Sequence, residues 1–234
     1  MDQKAFLQQF IASVSHEFRT PLASLTASLE IFRDEADHLS RQDMHDLLKS
    51  LGLSVTNLQM LVDNLLDSAS IQAEQLVIKP QPVTVNQIIA SAGYVIQPLL
   101  DRRSQVLSYH APLYIPPVLA DAPRIRQVLL NLLVNASKYS PQGSPIDIEA
   151  GIENQHILRV SIADRGIGIP AGHEQQIFNQ FTRLDNGMSG ERGGLGIGLA
   201  VVKAIIEAHG GQVGVMPREG DGAIFWFTLM RAAA

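Results

Sequence analysis

Apolar residues at coiled-coil spacing dominate the beginning of the chain. In a first stretch they step by alternating fours and threes, at Leu7, Ile11, Val14, Phe18, Pro21 and Leu25. In a second stretch the same steps continue through Met44, Leu48, Leu51, Val55, Leu58, Val62, Leu65 and Ala69. Between them, over residues 34–42, the apolar spacing lapses and charges cluster. The pattern predicts two long helices within residues 4–74, joined by a turn.

Two amphipathic helices of this length present more apolar surface than they can bury against each other. Pairing of two such hairpins in a dimeric four-helix bundle would cover both stripes. A single hairpin packed on the following domain is the alternative. The length of the heptad pattern favours the dimer.

The apolar spacing changes at residues 75–83, where β-branched residues and two prolines predict an extended linker or first strand. Beyond it, Thr84 and Gln87 match a capping box at the start of a helix. Apolar periodicity then predicts helices through residues 88–96, 125–133 and 200–209, and strands at 104–110, 146–150, 158–162, 212–216 and 223–229. The expected fold class is α+β, with a helical domain at 1–74, the linker at 75–83 and a second domain of helices and strands at 84–234.

Composition narrows the class of protein. Of the 234 residues, 46% are hydrophobic, enough for a self-sufficient core. The formal net charge of −5 argues weakly against a nucleic-acid binder, and the lack of cysteine excludes disulfides and thiolate metal sites. No apolar run is long enough to span a bilayer, and residues 1–4 do not begin a signal peptide. We expect a cytoplasmic chain without membrane contact. Its start inside a helical pattern leaves room for an upstream sensor or membrane attachment.

The first candidate for chemistry lies in the first helix, at Ser15-His16-Glu17-Phe18-Arg19-Thr20-Pro21-Leu22. A nucleophilic imidazole stands beside a carboxylate, ahead of a proline that should kink the helix. In the heptad register His16 falls on the outer face, opposite the apolar seam. A surface histidine without a role is the alternative interpretation.

A second candidate lies on the predicted helix that Asp121 could cap. Asn131, Asn135 and Lys138 are spaced to project from one face of this helix, and Tyr139 follows. Asparagine is mildly unfavourable in a helix interior, so two stacked asparagines call for a reason. Amide oxygens suit Mg²⁺, and a lysine suits phosphate. A solvated helix face is the alternative, which explains one asparagine more easily than the whole group.

Glycine-rich segments provide two further candidates. Asp164 ends a predicted strand and is followed by Gly166 and Gly168, an arrangement that lets a ligand approach the backbone closely. Its carboxylate oxygens match an exocyclic amine such as that of adenine, although any tight Asp-Gly turn would look the same. Residues 193–199 place glycines at the start of a helix, where free N–H groups face phosphate. Neither the dinucleotide nor the P-loop pattern fits, and the aperiodic residues 171–193 predict a mobile lid.

These clusters, in this order, resemble the catalytic core of two-component sensor histidine kinases over essentially the whole chain. The corresponding segments are the His box at 16–21, the Asn box at 131–139, a first glycine box at 164–169, the Phe box at 178–183 and a second glycine box at 194–199. The resemblance implies a dimeric four-helix phosphoacceptor domain joined to a Bergerat-type α/β sandwich that binds ATP. One departure is Leu195, where many relatives have threonine or serine. Because a hydroxyl near the phosphates is lost, backbone groups must supply more of the phosphate contacts there.

The same resemblance implies transfer of the γ-phosphoryl group of ATP to a ring nitrogen of His16, and then to an aspartate on the receiver domain of a response regulator. Glu17 would polarise or deprotonate the imidazole. Thr20 could orient water for dephosphorylating the receiver, and whether that reverse activity is used stays open. Asn135 would ligate Mg²⁺, and Asp164 would select adenine. The remaining nucleotide contacts are implied at Asn131, Lys138, Tyr139, Gly166, Gly168, Ile169, Phe181, Arg183, Gly194, Leu195, Gly196, Gly198 and Leu199.

Two other functions stay open from the sequence. An ATPase of the gyrase or heat-shock type shares the nucleotide fold and uses ATP binding for conformational work, but it would not need His16 and Glu17 beside a heptad seam. A degenerate kinase would serve only as a dimerisation and docking module, and the intact Asn and glycine boxes count against it. Acid-labile phosphate on the chain tests the first alternative, and nucleotide binding tests the second.

Overall fold

The computed structural model describes residues 3–35, 37–182 and 194–232. They fall into two compact units, one with residues up to 66 together with 194 and 195, the other with residues 67–182 and those from 196 onward. No helix within the described ranges is long and apolar enough to cross a membrane.

The first unit is a helical hairpin, which confirms the prediction from the heptad spacing. Helix α1 spans Gln3–Glu35 and α2 spans Arg41–Gln72, of which the part from Asp67 belongs to the second unit. Small side chains bring the two helices together, since Ser54 Oγ lies 3.1 Å from Ser24 Oγ and Ser54 is 5% exposed.

Large apolar side chains on both helices are left uncovered in the single chain. Those that are 41% exposed or more are Ile11, Leu22, Leu29, Ile31 and Phe32 on α1 and Leu48, Val55, Val62 and Leu66 on α2. Leu48, Val55 and Val62 are spaced by sevens, so they follow one line along α2. We call these three the uncovered stripe. A single hairpin thus does not bury its own heptad pattern.

The second unit is an α/β sandwich. Its helices are α3 at Val85–Arg102, α4 at Ala122–Tyr139 and α5 at Gly198–Ala208, and a short 3₁₀ turn covers Gln176–Phe178. Its strands are β1 at Gln81–Val83, β2 at Val106–His110, β3 at Val118–Ala120, β4 at Pro145–Ile152, β5 at Ile157–Ala163, β6 at Val213–Pro217 and β7 at Ala223–Met230. Five strands form one sheet in the order β2-β4-β5-β7-β6, where β2 and β4 are parallel and the other pairs antiparallel.

The core of this unit lies between the sheet and its helices. Ile146 and Ile148 on β4 are fully buried while Asp147 between them is not, the alternation of a sheet with one covered face. Leu129 and Leu132 on α4 are also fully buried. The polar face of α4 and the end of β5 therefore extend from closely packed elements, which hold their side chains in defined positions.

Two local predictions had different outcomes. Asp121 caps α4 as predicted, because its Oδ1 accepts a hydrogen bond from the amide of Arg124 at 3.3 Å. Thr84 precedes α3, but its side chain makes no capping hydrogen bond, so the predicted capping box is wrong. Strand β3 was not predicted, because three residues are too few to show a period. It pairs antiparallel with β1, with Gln81 opposite Ala120.

Candidate functional site

Asp164 immediately follows β5 and is buried, with 4% of its surface exposed. Its Oδ1 accepts hydrogen bonds from the amides of Gly166 at 2.8 Å and Ala223 at 3.1 Å. Its own amide donates to the carbonyl oxygen of Ala223 at 2.9 Å, which attaches the residue to β7. Oδ2 accepts no hydrogen bond from the described residues. Burial raises the pKa of the Asp164 carboxyl above its ordinary value, against the lowering effect of the two amides and of the Arg165 and Arg218 charges.

The turn after Asp164 is packed so closely that only glycine fits at several positions. A Cβ at Gly166 would lie 2.9 Å from the carbonyl oxygen of Tyr139, at the end of α4. Gly168 has a φ of +69°, and its Cβ would lie 3.2 Å from the carbonyl oxygen of Gly222. A Cβ at Gly222 would collide with the carbonyl oxygen of Asp164. Because these positions carry no side chain, a ligand can approach the backbone there.

The polar face of α4 carries two asparagines in different surroundings. Asn131 is 5% exposed, and its Nδ2 donates to the carbonyl oxygen of Gln127 at 3.2 Å. Asn135 is half-buried, and its side-chain amide makes no hydrogen bond with the described residues. The side-chain oxygen of Asn135 is therefore available to a ligand, and it is of the type that Mg²⁺ prefers.

The last turn of α4 is joined to the turn after β5. Ser140 is fully buried, and its Oγ accepts a hydrogen bond from the amide of Arg165 at 3.0 Å. Lys138 and Tyr139 precede this junction, with the lysine Nζ 5.5 Å from the centre of the tyrosine ring. Both side chains are partly exposed. The Ser140 contact holds the end of α4, with Lys138 and Tyr139, close to Asp164.

The second glycine box contacts the Phe box through the backbone. The amide of Phe181 donates to the carbonyl oxygen of Gly196 at 2.8 Å. Phe181 has a φ of +63°, which is unusual for a bulky residue. Gly196 has a φ of +68°, and its Cβ would lie 2.9 Å from the carbonyl oxygen of Thr182, so this approach requires glycine. Gly198 begins α5, whose first amides have no partner within the helix.

The remaining predicted nucleotide contacts are described less fully. Ile169 and Leu199 are half-buried, Gly194 is partly exposed and Leu195 is 7% exposed. Arg183 lies outside the described residues, as does the end of the predicted lid from that residue onward. Contacts of all these residues with a nucleotide stay predictions.

His16 lies on α1 with an exposed side chain, as the heptad register predicts. Glu17 is half-buried, and Thr20 is exposed. The hydroxyl of Thr20 donates to the carbonyl oxygen of His16 at 3.4 Å, back along the helix. Pro21 lies inside α1 and has no N–H, which leaves the carbonyl oxygen of Glu17 without its helical partner. The imidazole of His16 is open to solvent on this face.

One polar cluster of the second unit was not predicted from the sequence. Arg124 Nη1 donates to both carboxylate oxygens of Asp67, at 2.7 and 2.9 Å, and Gln127 Nε2 donates to Asp67 Oδ2 at 2.6 Å. The cluster attaches the last turns of α2 to the first turns of α4. Its only sequence signal is two polar residues three apart on α4, which does not identify a partner far away in the chain.

Comparison with known proteins matches two family models to successive parts of the chain. The phosphoacceptor domain named His Kinase A matches residues 6–74. The family described as histidine kinase-, DNA gyrase B- and HSP90-like ATPase matches residues 120–233. Together the two models cover most of the chain, in the order that the resemblance implied.

Full-length relatives and solved structures agree with these matches. The chain is 31% identical to the sensory/regulatory protein RpfC of Xanthomonas campestris over 96% of its length, and 33% identical to the adaptive-response sensory kinase SasA of Synechococcus sp. over 98%. It spans 31% of RpfC and 58% of SasA. The crystal structure of full-length ShkA in complex with AMPPNP aligns with a TM-score of 0.66 and 28% identity, over 97% of this chain and 47% of ShkA. The chain belongs to the sensor histidine kinases and forms a catalytic core of that family.

Proposed function

We propose that the chain is an ATP-dependent protein-histidine kinase that phosphorylates its own His16. It then passes the phosphoryl group to an aspartate in the receiver domain of a response regulator. The observation that carries the proposal is an exposed imidazole beside Glu17 in a chain that also holds a buried carboxylate, Asp164. One oxygen of this carboxylate accepts no hydrogen bond from the described residues. The complex of ShkA with AMPPNP, a nucleoside triphosphate analogue, supports the nucleotide part of this proposal.

Asp164 recognises adenine in this proposal. An ionised carboxylate can only accept hydrogen bonds, so its free Oδ2 suits the exocyclic amine of the base. The hydrogen bonds from Gly166 and Ala223 to Oδ1 hold the carboxylate in one orientation. Gly166 and Gly168 allow the base to approach the backbone. The residues present therefore fit an adenine nucleotide.

The phosphates are expected between α4 and the start of α5. Mg²⁺ would neutralise charge on the phosphates during transfer. Asn135 would hold the metal through its free amide oxygen, and Lys138 would meet phosphate as a point charge. The amides of Gly198, Leu199 and Ala200 have no partner within α5 and suit phosphate oxygens. The other residues proposed to line the nucleotide are Asn131, Tyr139, Ile169, Phe181, Arg183, Gly194, Leu195, Gly196 and Leu199.

His16 is the nucleophile of the transfer. One ring nitrogen forms a bond to the γ-phosphorus while the bond from that phosphorus to the bridging oxygen of the leaving ADP breaks. The imidazole attacks in its neutral form, through the nitrogen that carries no proton, and Glu17 takes the proton from the other ring nitrogen as positive charge develops on the ring. Positioning and charge neutralisation supply most of the rate in phosphoryl transfer. The exposed face around His16 then admits the receiver domain, and Thr20 could orient water in the reverse, dephosphorylating activity.

The uncovered stripe of α2 supports a homodimer. Leu48, Val55 and Val62 are spaced for packing against a facing helix, and the single chain leaves them exposed. A second copy in a four-helix bundle would bury them. We propose domains at residues 1–74 and 84–234 with a linker at 75–83, working in the cytoplasm, where ATP and receiver domains are available.

Incubation with γ-labelled ATP and Mg²⁺, followed by addition of candidate receiver domains, tests the proposal. Label on the chain that acid removes and base does not, and that then moves to a receiver, is the expected result. Release of labelled phosphate without any label on the chain would favour an ATPase that uses nucleotide binding for conformational work. Absence of nucleotide binding would favour a docking module.

A further inference from the structure

The imidazole of His209 connects the end of α5 to the start of α4. His209 directly follows α5 and is 7% exposed. Its Nε2 lies 2.9 Å from the amide nitrogen of Asp121, and its Nδ1 lies 2.7 Å from the carbonyl oxygen of Ile205. Both ring nitrogens are therefore within hydrogen-bonding distance of the backbone of two different helical segments.

These partners determine which nitrogen carries the proton. A backbone N–H can only donate, so Nε2 of His209 must be the unprotonated nitrogen that accepts from Asp121. A carbonyl oxygen can only accept, so Nδ1 carries the hydrogen and donates to Ile205. The ring is neutral, and each of its nitrogens makes one hydrogen bond. Asparagine could keep the bond to Ile205 but would not reach Asp121, whereas glutamine is long enough to reach it.

Asp121 has further partners besides His209. Its Oδ1 accepts from the amide of Arg124 and so caps α4. Its Oδ2 accepts from the amide of Lys79 at 2.9 Å, in the segment that leads into β1. The contact with His209 thus attaches the end of α5 to a residue that is itself held at the first turn of α4.

Aliphatic side chains also contribute to the packing between α4 and α5, and their contacts are not directional in this way. The two helices pack against each other, and both carry fully buried aliphatic side chains, among them Leu132 and Ile205. Apolar burial depends on area and tolerates small shifts along a helix, whereas a hydrogen bond is sensitive to distance and angle. The His209 bond to Asp121 therefore restricts how far α5 can slide along α4.

We propose that His209 is a positioning residue that sets the register of α5 against α4, and thereby the spacing between Asn135 and the start of α5 at Gly198. This inference rests on the proposed function, in which those two places contact the phosphates. The adenine contacts of Asp164 lie at the end of β5 and do not depend on α5. Loss of the His209 bond should therefore weaken phosphate-dependent affinity and leave adenosine affinity nearly unchanged.

Binding of ATP and of adenosine to matched variants of the whole chain tests this. His209→Asn is expected to weaken the affinity for ATP by about fivefold to tenfold, which is the loss that one hydrogen bond would give. Its affinity for adenosine should fall by less than about twofold. His209→Gln should keep both affinities within about twofold of the wild type, because its Oε1 can accept from Asp121. His156→Asn, at the exposed turn between β4 and β5, is the control and should change neither.

Amide hydrogen exchange at Asp121 provides a readout that does not need activity. Without nucleotide, exchange at this amide should be faster in His209→Asn than in the wild type and unchanged in His209→Gln. In the wild-type chain, ATP should slow this exchange more than adenosine does, because coupling between two sites is reciprocal.

Two outcomes would overturn the inference alone. In one, His209→Asn weakens the affinities for ATP and adenosine equally, or leaves both affinities unchanged. In the other, ATP and adenosine slow exchange at Asp121 to the same extent in the wild type, a result that does not depend on any variant folding. A wild-type chain that binds neither ligand would instead overturn the proposed function, and this inference with it.

Discussion

Asp67 and Arg124 form an ion pair in which one guanidinium nitrogen lies 2.7 and 2.9 Å from the two carboxylate oxygens. The side chain of Asp67 is 7% exposed and that of Arg124 is 30% exposed. Gln127 donates to the same carboxylate. Because a buried charge is costly without partners, the carboxylate depends on both neighbours. Within the second unit, the pair joins the end of α2 to the helix that carries Asn131 and Asn135.

Replacing Arg124 by methionine should lower the free energy of unfolding of the second unit by about 1–3 kcal/mol, since Asp67 would keep only its bond from Gln127. Trp226, the single tryptophan of the chain, reports on this unit during urea unfolding. Lys203→Met removes an exposed pair with Glu207 and should change the free energy by less than about 0.5 kcal/mol. Equally small effects of both substitutions would contradict a stabilising role for the pair.

Asp164→Asn should weaken binding of adenine nucleotides by about tenfold to 100-fold, because the amide nitrogen that replaces Oδ2 donates where an acceptor is needed. Asn Oδ1 can still accept from Gly166 and Ala223, so the turn should keep its conformation. Titration with ADP measures the loss. Asp101→Asn, which removes an exposed carboxylate on α3, is the control. Unchanged affinity in Asp164→Asn would contradict the adenine contact.

The same substitution tests the pKa of Asp164. A carboxyl with a raised pKa binds its proton more tightly in the folded chain than in the unfolded chain. Between its ordinary pKa of 3.8 and the raised value, the folded chain therefore holds more of this proton than the unfolded chain does. Wild-type stability should therefore fall, relative to Asp164→Asn, as the pH rises through this window, by about 1.4 kcal/mol per unit of pKa shift. Urea unfolding of both chains across the acidic range measures it. A stability difference that does not vary with pH would mean that burial does not raise this pKa.

His16→Gln should abolish acid-labile phosphorylation and leave nucleotide affinity within about twofold of the wild type. The reason is that His16 supplies the nucleophile, whereas the adenine site is built from α4, β5 and β7. His45→Gln, at an exposed position of α2, is the matched control and should be phosphorylated normally. Acid-labile label on His16→Gln would show that another residue is the phosphoacceptor.

Asn135→Ala should remove most of the Mg²⁺ dependence of nucleotide binding, about tenfold in affinity, because it deletes the free amide oxygen on α4. Asn131→Ser should change the Mg²⁺ dependence less, since the side chain of Asn131 is already hydrogen-bonded to the carbonyl oxygen of Gln127. Titrations of ADP with and without Mg²⁺ compare the two variants. The metal assignment is wrong if Asn135→Ala keeps the metal dependence of the wild type.

Val55→Asp should convert the expected dimer to a monomer. Val55 is 44% exposed in the single chain, so the hairpin tolerates a charge there, whereas a facing helix in a dimer would bury it. Light scattering measures the mass, and ATP binding should persist because the second unit has its own core. Asn57→Asp introduces the same charge at an exposed neighbouring position and should stay dimeric. A dimer of full activity in Val55→Asp would mean that the stripe is not the contact surface.

The helices and most strands could be predicted from the sequence because their signals are local. Heptad spacing determined the hairpin of α1 and α2 and the outward position of His16. Alternation determined β4 and β5, and the side chain of Asp121 determined the start of α4. The candidate residues Asn135 and Asp164 were likewise identified from their neighbours in the chain. In each case the physical cause, side-chain periodicity or capping, acts within a few residues.

Only the tertiary structure determined the contacts that hold these candidate residues in place. The order of the five strands places Ala223 beside Asp164, so that one carboxylate oxygen accepts its amide while the other has no hydrogen bond from the part of the chain that the structure describes. The folding of α5 against α4 brings His209 to Asp121, and α2 brings Asp67 to Arg124. Such pairs join positions far apart in the chain, and they form only when buried surfaces select one packing among many. Local periodicity carries no information about that choice.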